Sequence, residues 1–148
     1  MTPVERSPYG LIQEELRNEP WKLLVCCMFL NLTNIKQVRC VVDAFFTKWP
    51  TPEAAASANI QEMIEVIRSL GFYNRRAATI IKMSRAFIDG VDVKNLPGVG
   101  RYALDSYMIF VNGSLDVQPT DKKLIKYVQW ASSIMKRSTS NDDDDCVN

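Results

Sequence analysis

Apolar residues along this chain recur every three or four positions, the spacing that gathers side chains on one face of a helix. Val38, Val41, Val42, Phe45 and Phe46 follow i, i+3, i+4, i+7, i+8. Ile60, Met63, Ile64 and Ile67 form a second stripe, and Ala77, Ile80, Ile81, Ser84 and Phe87 or Ile88 a third. Proline and glycine punctuate the stripes. Pro8 and Pro20 stand where a first helical turn accepts proline, so helices are predicted after Ser7 and over the apolar stretch from Trp21 to Leu30. Lys48-Trp49-Pro50-Thr51-Pro52 ends the third helix, and short helices follow near 53–58 and 60–69. Gly71 is a left-handed stop, Asn74 the cap of a helix over 75–88, and Gly90 its end. A helix is predicted over 101–111, then a turn at Asn112-Gly113. Thr120 or Asp121 caps a last helix reaching about Ile134. No stretch alternates as a strand would, so the fold class is all-α.

At 148 residues the chain is long enough for one domain with its own core. The longest apolar runs are too short for a membrane span, and Met1 to Pro8 lacks the layout of a signal peptide. The 18 Lys and Arg nearly balance 17 Asp and Glu, but Asp142 to Asp145 form an acidic block. Setting those four aside, 18 basic residues face 13 acidic ones, a surplus that suits a polyanion as well as an ordinary solvated surface. With no histidine, Ser-His and Cys-His catalysis and His-metal sites are excluded. Cys26, Cys27, Cys40 and Cys146 lack zinc-site spacing, and a reducing compartment is the simplest setting. Acid-base chemistry must fall to Asp, Glu, Lys, Tyr or Cys.

Two motifs carry candidate chemistry. Leu96-Pro97-Gly98-Val99-Gly100-Arg101 places two glycines in a tight turn at the start of a helix. Free amides there, with the helix dipole, suit a phosphate oxygen, while Leu96 and Val99 anchor the turn. A plain joint between helices has the same composition. About two dozen residues later Asp121 follows Pro119-Thr120 at a helix start, where the dipole favours the carboxylate. One oxygen can cap the helix while the other faces a cleft and stabilises developing positive charge.

That spacing, with Leu70-Gly71-Phe72-Tyr73-Asn74-Arg75-Arg76-Ala77, resembles the helix-hairpin-helix (HhH-GPD) DNA glycosylases. The likeness extends to Arg6-Ser7-Pro8-Tyr9, Leu11 to Glu14, Pro20 to Leu24, Phe29-Leu30-Asn31, Asp105-Ser106-Tyr107 and Lys126-Tyr127, and is greatest to glycosylase domains of the methyl-CpG-binding-domain thymine glycosylase type. The resemblance implies a two-lobed helical fold over 1–136, with lobe one about 1–28 plus 112–136 and lobe two about 29–111. Residues 137–148 are left as an acidic, disordered tail. It implies a nuclear, monomeric base excision repair enzyme acting on double-stranded DNA with a flipped-out nucleotide. A thymine or uracil opposite guanine would be removed. Catalysis would rest on Asp121, Tyr102 and Lys123. Gln13, Tyr102 and Leu32 would line the base pocket. Phe72, Leu96, Gly98, Val99, Gly100 and Arg101 would hold DNA. A monovalent cation at the Leu96 and Val99 carbonyls is implied, and no other cofactor.

Family members that cleave the strand carry a lysine where this chain has Tyr102, and several carry a four-cysteine iron–sulfur loop where Cys146 stands alone. A water-using enzyme without lyase activity or cluster is therefore expected. Two departures bear on substrate. Asn31-Leu32-Thr33 replaces the relatives' Asn-Arg-Thr, and Phe72 replaces a wedge leucine. The competing readings are a non-catalytic DNA-binding module and a glycosylase for another damaged pyrimidine.

Overall fold

The computed structural model describes the backbone of residues 1–145. Its described residues contain helices and no strand. The helices are α1 (Ile12–Glu15), α2 (Pro20–Leu30), α3 (Ile35–Lys48), α4 (Pro52–Ala56), α5 (Ile60–Ile67), α6 (Tyr73–Ile88), α7 (Arg101–Ser106) and α8 (Lys122–Asp145). Helix α2 is the centre: it packs on α1, α3, α6 and α7. Eight of its eleven residues are buried, including Leu23, Leu24, Val25 and Phe29, so it lacks the polar face of a surface helix. The lobe boundary expected between 28 and 29 falls inside this helix.

The periodic stripes enter one continuous core. Val38, Val41 and Phe45 of α3 are buried with Met63, Ile64 and Ile67 of α5 and Ala77, Ile80 and Ile81 of α6. Phe45 meets Phe29 edge-on at 5.2 Å between ring centroids, a favourable quadrupole geometry. Deep between α2 and α6, Trp21 Nε1 donates to Ser84 Oγ at 3.0 Å, and Ser84 Oγ donates to the Ile80 carbonyl at 2.7 Å. Ser84 therefore fills an apolar stripe position without leaving a buried hydroxyl unpaired.

Four boundaries differ from expectation. Ser7-Pro8 opens no helix. The Ser7 amide and hydroxyl instead donate to the buried Glu14 carboxylate at 2.7 and 2.8 Å, and Gly10 at φ +62° turns the chain into α1. These charge-assisted bonds outweigh the proline's preference for a first helical turn. Helix α6 begins at Tyr73, not after an Asn74 cap, because Phe72 in left-handed conformation is its boundary residue. The hairpin helix changes to π-helix over Tyr107–Val111. Helix α8 runs to Asp145, past the expected end near Ile134 and through most of the expected tail. No glycine or proline interrupts 135–145, and each helical residue added to an existing helix gains a hydrogen bond. Cys146, Val147 and Asn148 lie outside the described residues.

Candidate active site

A cleft of about 520 Å³ opens beside the start of α1, the α2–α3 junction and the start of α8. Gln13, Leu32, Tyr102, Asp121 and Lys123 all line it, although they come from four separate stretches of sequence. Asp121 stands just before α8. Its Oδ2 accepts the Lys123 and Leu124 amides, each at 3.0 Å. That N-cap locks the carboxylate against the helix start. It leaves Oδ1 without a protein partner among the described residues. The double use of one carboxylate, as cap and as free oxygen, is thus built into the local turn. The loop before it is tethered from the hairpin helix, where Arg101 donates to the Gln118 carbonyl at 2.8 Å and pairs with Asp105 at 3.5 Å.

The cleft floor is a buried polar network. Gln13, only 1% exposed, donates through Nε2 to the Tyr102 hydroxyl at 2.7 Å and to Ser106 Oγ at 3.3 Å. Tyr102 and Ser106 lie one turn apart on α7, so both reach the same amide. With Nε2 occupied, Gln13 Oε1 is the atom left to accept from a ligand. Burial, reinforced by Cys27 and Asp121, pushes the Tyr102 phenol well above its ordinary range. It stays protonated and keeps an O–H to donate. Burial likewise pushes the Cys27 thiol up to about 12, although its hydrogen bond with Ser106 acts in the opposite direction. Neither Cys27 nor Cys26, also raised by burial, is a thiolate nucleophile at neutral pH.

In the hairpin only one of the two glycines uses the left-handed region. Leu96 is buried and accepts the Val99 amide at 3.2 Å. Gly98 sits at φ +78°, but Gly100 is extended at φ −94° and serves as the N-cap of α7. Gly100 offers no side chain, and among the described residues no side chain caps the start of α7. Those amides remain available to an anion.

A second cavity, about 410 Å³, lies between Leu32 and Phe72, with Met28, Thr79 and Gly98 beneath it. Leu32 lines both cavities and stands on the ridge between them. Leu32 is 81% exposed at φ +69° and Phe72 66% exposed at φ +47°. Two large apolar side chains thus point to solvent from backbone conformations that cost about 1–3 kcal/mol each for such residues.

The family model for the HhH-GPD superfamily base excision DNA repair proteins matches residues 25–142. The chain belongs to that superfamily. It is 37% identical over 125 residues to a methyl-CpG-binding domain protein 4-like protein of Arabidopsis thaliana, covering 82% of this chain and 28% of the relative. It is 28% identical over 128 residues to a thymine/uracil-DNA glycosylase of Pyrobaculum aerophilum, covering 80% and 55% respectively. The chain therefore spans about a quarter to a half of these relatives. The structure of a thermostable thymine-DNA glycosylase superposes with a TM-score of 0.65 at 24% identity, covering 71% of this chain and 52% of that one. That likeness shows the fold.

Residues from the sequence prediction sort by cavity: Gln13, Leu32, Tyr102, Asp121 and Lys123 at the first, Leu32, Phe72 and Gly98 at the second. Leu96 is an internal anchor, and Arg101 is engaged with the Asp121 loop. Sequence reasoning missed Ser106, Cys27 and Arg76. The signals for Ser106 were its four-residue step from Tyr102 and its place in the Asp105-Ser106-Tyr107 stretch of the resemblance. Arg76, which bonds to the Leu32 and Phe72 loops, lies in the Leu70–Ala77 stretch that carries the resemblance, but nothing local marked its role. Among the described residues no cluster of three or more His, Cys, Asp or Glu could hold a metal ion.

Proposed function

We propose that this chain is a monofunctional, mismatch-specific DNA glycosylase that hydrolyses the N-glycosidic bond of thymine or uracil opposite guanine. The carrying observation is the convergence, in one cleft, of an Asp121 oxygen without a partner among the described residues with the Gln13–Tyr102 pair. An extruded pyrimidine imide presents an N–H beside a carbonyl. Gln13 Oε1 matches the N–H and the Tyr102 O–H matches the carbonyl. Thymine and uracil share that edge, and the partner guanine distinguishes the lesion from a normal pair.

In the reaction the C1′–N1 bond breaks and its electron pair leaves with the base, while the sugar ring takes on positive charge. The Asp121 carboxylate stabilises that charge and orients a water molecule toward C1′. Water oxygen bonds to C1′, its proton passes to Asp121 and then to solvent, and the departing base takes a proton from solvent. Lys123 at the cleft adds positive potential near the departing anion. A phenol at position 102 forms no Schiff base, which favours release of an intact abasic strand over strand cleavage. The uncapped amides of α7 hold a backbone phosphate. The Leu96 and Val99 carbonyls are hard oxygen donors, the type a monovalent cation takes, and a cation there would add charge at the phosphate site. Resemblance to the relatives supports a nuclear, monomeric enzyme working on duplex DNA, with lobe one about 1–28 plus 112–136 and lobe two about 29–111, the crossing from one to the other lying within α2.

The test is base release from duplexes holding G:T, G:U or A:T, with abasic sites revealed by alkali. Release from G:T and G:U that falls by on the order of 10³-fold or more in Asp121→Asn is the expected result. Release only from an oxidised pyrimidine would reassign the substrate. No release from any lesion would leave a DNA-binding module, and borohydride trapping of a covalent complex would contradict the water-using mechanism.

A further inference from the structure

Leu32 and Phe72 stand on two loops that are far apart in sequence and side by side in space. A single guanidinium joins those loops. Arg76 Nη1 donates to the carbonyls of Leu70 at 3.0 Å and Gly71 at 3.4 Å. Its Nη2 donates to the Asn31 carbonyl and to Thr33 Oγ1, the latter at 2.7 Å. Each terminal nitrogen thus takes one loop. Thr33 Oγ1 adds a direct tie by donating to the Leu70 carbonyl at 3.3 Å. Arg76 is itself fixed in the first turn of α6, whose next residue, Ala77, is fully buried. The guanidinium carbon also lies 5.9 Å from the Phe72 ring centroid. A planar, rigid fork of this kind fixes relative position in a way that a flexible ammonium does not.

We infer that Arg76 is a positioning residue that sets the separation and angle of Leu32 and Phe72, so that both enter a base stack together. The inference rests on the proposed reading of this face as one that opens duplex DNA. It assigns Arg76 no contact with the nucleotide. The acceptors it satisfies belong to the protein's own main chain and to Thr33, and they lie directly beside the two left-handed residues. Left-handed conformations at non-glycine positions persist only where the surroundings over-determine them, and the Arg76 bonds supply that constraint on both loops at once. An apolar pair inserted at a fixed spacing unstacks a base step and fills the space it leaves.

The test uses the full chain and a duplex with 2-aminopurine beside a G:T mismatch, whose fluorescence rises when the base is unstacked whether or not a base is released. Wild type should raise fluorescence at saturation. Arg76→Lys keeps the charge and loses the fork. It should cut the rise several-fold and slow release from G:U duplex on the order of tenfold or more. Release from a G:U duplex whose uracil is flanked by abasic sites should stay within about twofold, since little stack has to be opened there. Thr33→Val, which removes one acceptor and the direct tie, should fall between Arg76→Lys and wild type. It carries the test if an Arg76 variant fails to fold. A fluorescence rise in Arg76→Lys equal to wild type, equal losses on fully stacked and abasic-flanked uracil, or no rise with wild type would each overturn the inference. A wild-type protein that unstacks the base but releases none would refute the glycosylase proposal and leave the role of Arg76 standing.

Discussion

Gly98 supports a prediction whose size can be worked from geometry. At φ +78° it occupies the left-handed region, where a side chain costs about 1–2 kcal/mol. A Cβ there would also stand 2.5 Å from Thr79 Cγ2 and 2.8 Å from Met28 Cε. Met28 Cε is the end of a flexible side chain and can move aside. Thr79 is stiff at χ1, and its Oγ1 donates to the Arg75 carbonyl at 2.8 Å, so turning the methyl away breaks that bond. Overpacking of this kind costs about 1–3 kcal/mol. Gly98→Ala should therefore destabilise the fold by about 2–5 kcal/mol, or roughly 5–15 °C in Tm for a domain of this size. Urea and thermal unfolding measure it. Thr79→Ser keeps the hydroxyl and removes the methyl. In the Gly98→Ala background it should restore the overpacking part, about 1–3 kcal/mol, and leave the backbone strain. A Gly98→Ala protein within about 0.5 kcal/mol of wild type, or one that Thr79→Ser fails to rescue, would refute the argument that two separate costs demand glycine here.

Among the described residues the buried Tyr127 hydroxyl has no hydrogen-bond partner within bonding distance. Tyr127→Phe removes an unsatisfied group and should leave stability unchanged or raise it by about 1 kcal/mol; a loss of that size in thermal unfolding would mean the hydroxyl is satisfied. Cys27 makes stability depend on alkaline pH. Its thiol rises from 9.0 to about 12 on folding, so above about pH 9 the unfolded state loses its proton first. Stability therefore falls as pH climbs from about 9 toward 12, by at most about 1.4 kcal/mol per unit from this group. Cys27→Ala should flatten that decline in urea unfolding at pH 8, 9.5 and 10.5, and an unchanged slope would count against the shift. Asp121→Asn should lose activity while keeping stability within about 0.5 kcal/mol, because asparagine caps a helix as well as aspartate does.

How much was legible in the sequence follows the distance over which each feature is determined. The faces of α3, α5 and α6 were readable because a stripe such as Val38, Val41 and Phe45 records burial in consecutive turns. The Asp121 cap was readable for the same local reason: its acceptors' donors are two and three residues away. The start of α1 was misjudged because Glu14 competes for Ser7 across seven residues. The cleft floor was partly legible. Gln13 and Tyr102 could be named from family resemblance, yet the bond from Gln13 to Ser106 spans 93 positions and has no local trace.

Leu32 and Phe72 show why the remainder was hidden. Local preference argues against left-handed backbone at a leucine or a phenylalanine, and by that preference Asn74 was the better boundary for α6. The actual boundary follows from Arg76, which draws the carbonyls of residues 31, 70 and 71 around one guanidinium. Local propensity and tertiary structure disagree at two exposed residues that flank one cavity, and nowhere else among the described non-glycine residues is φ positive. A core residue in such a conformation could be explained by packing. Exposed side chains gain no burial in return, which fits the proposed contact of these two side chains with a partner outside the protein. The failure of the local rule therefore points, independently of the hairpin, to the face that the proposed function turns toward DNA.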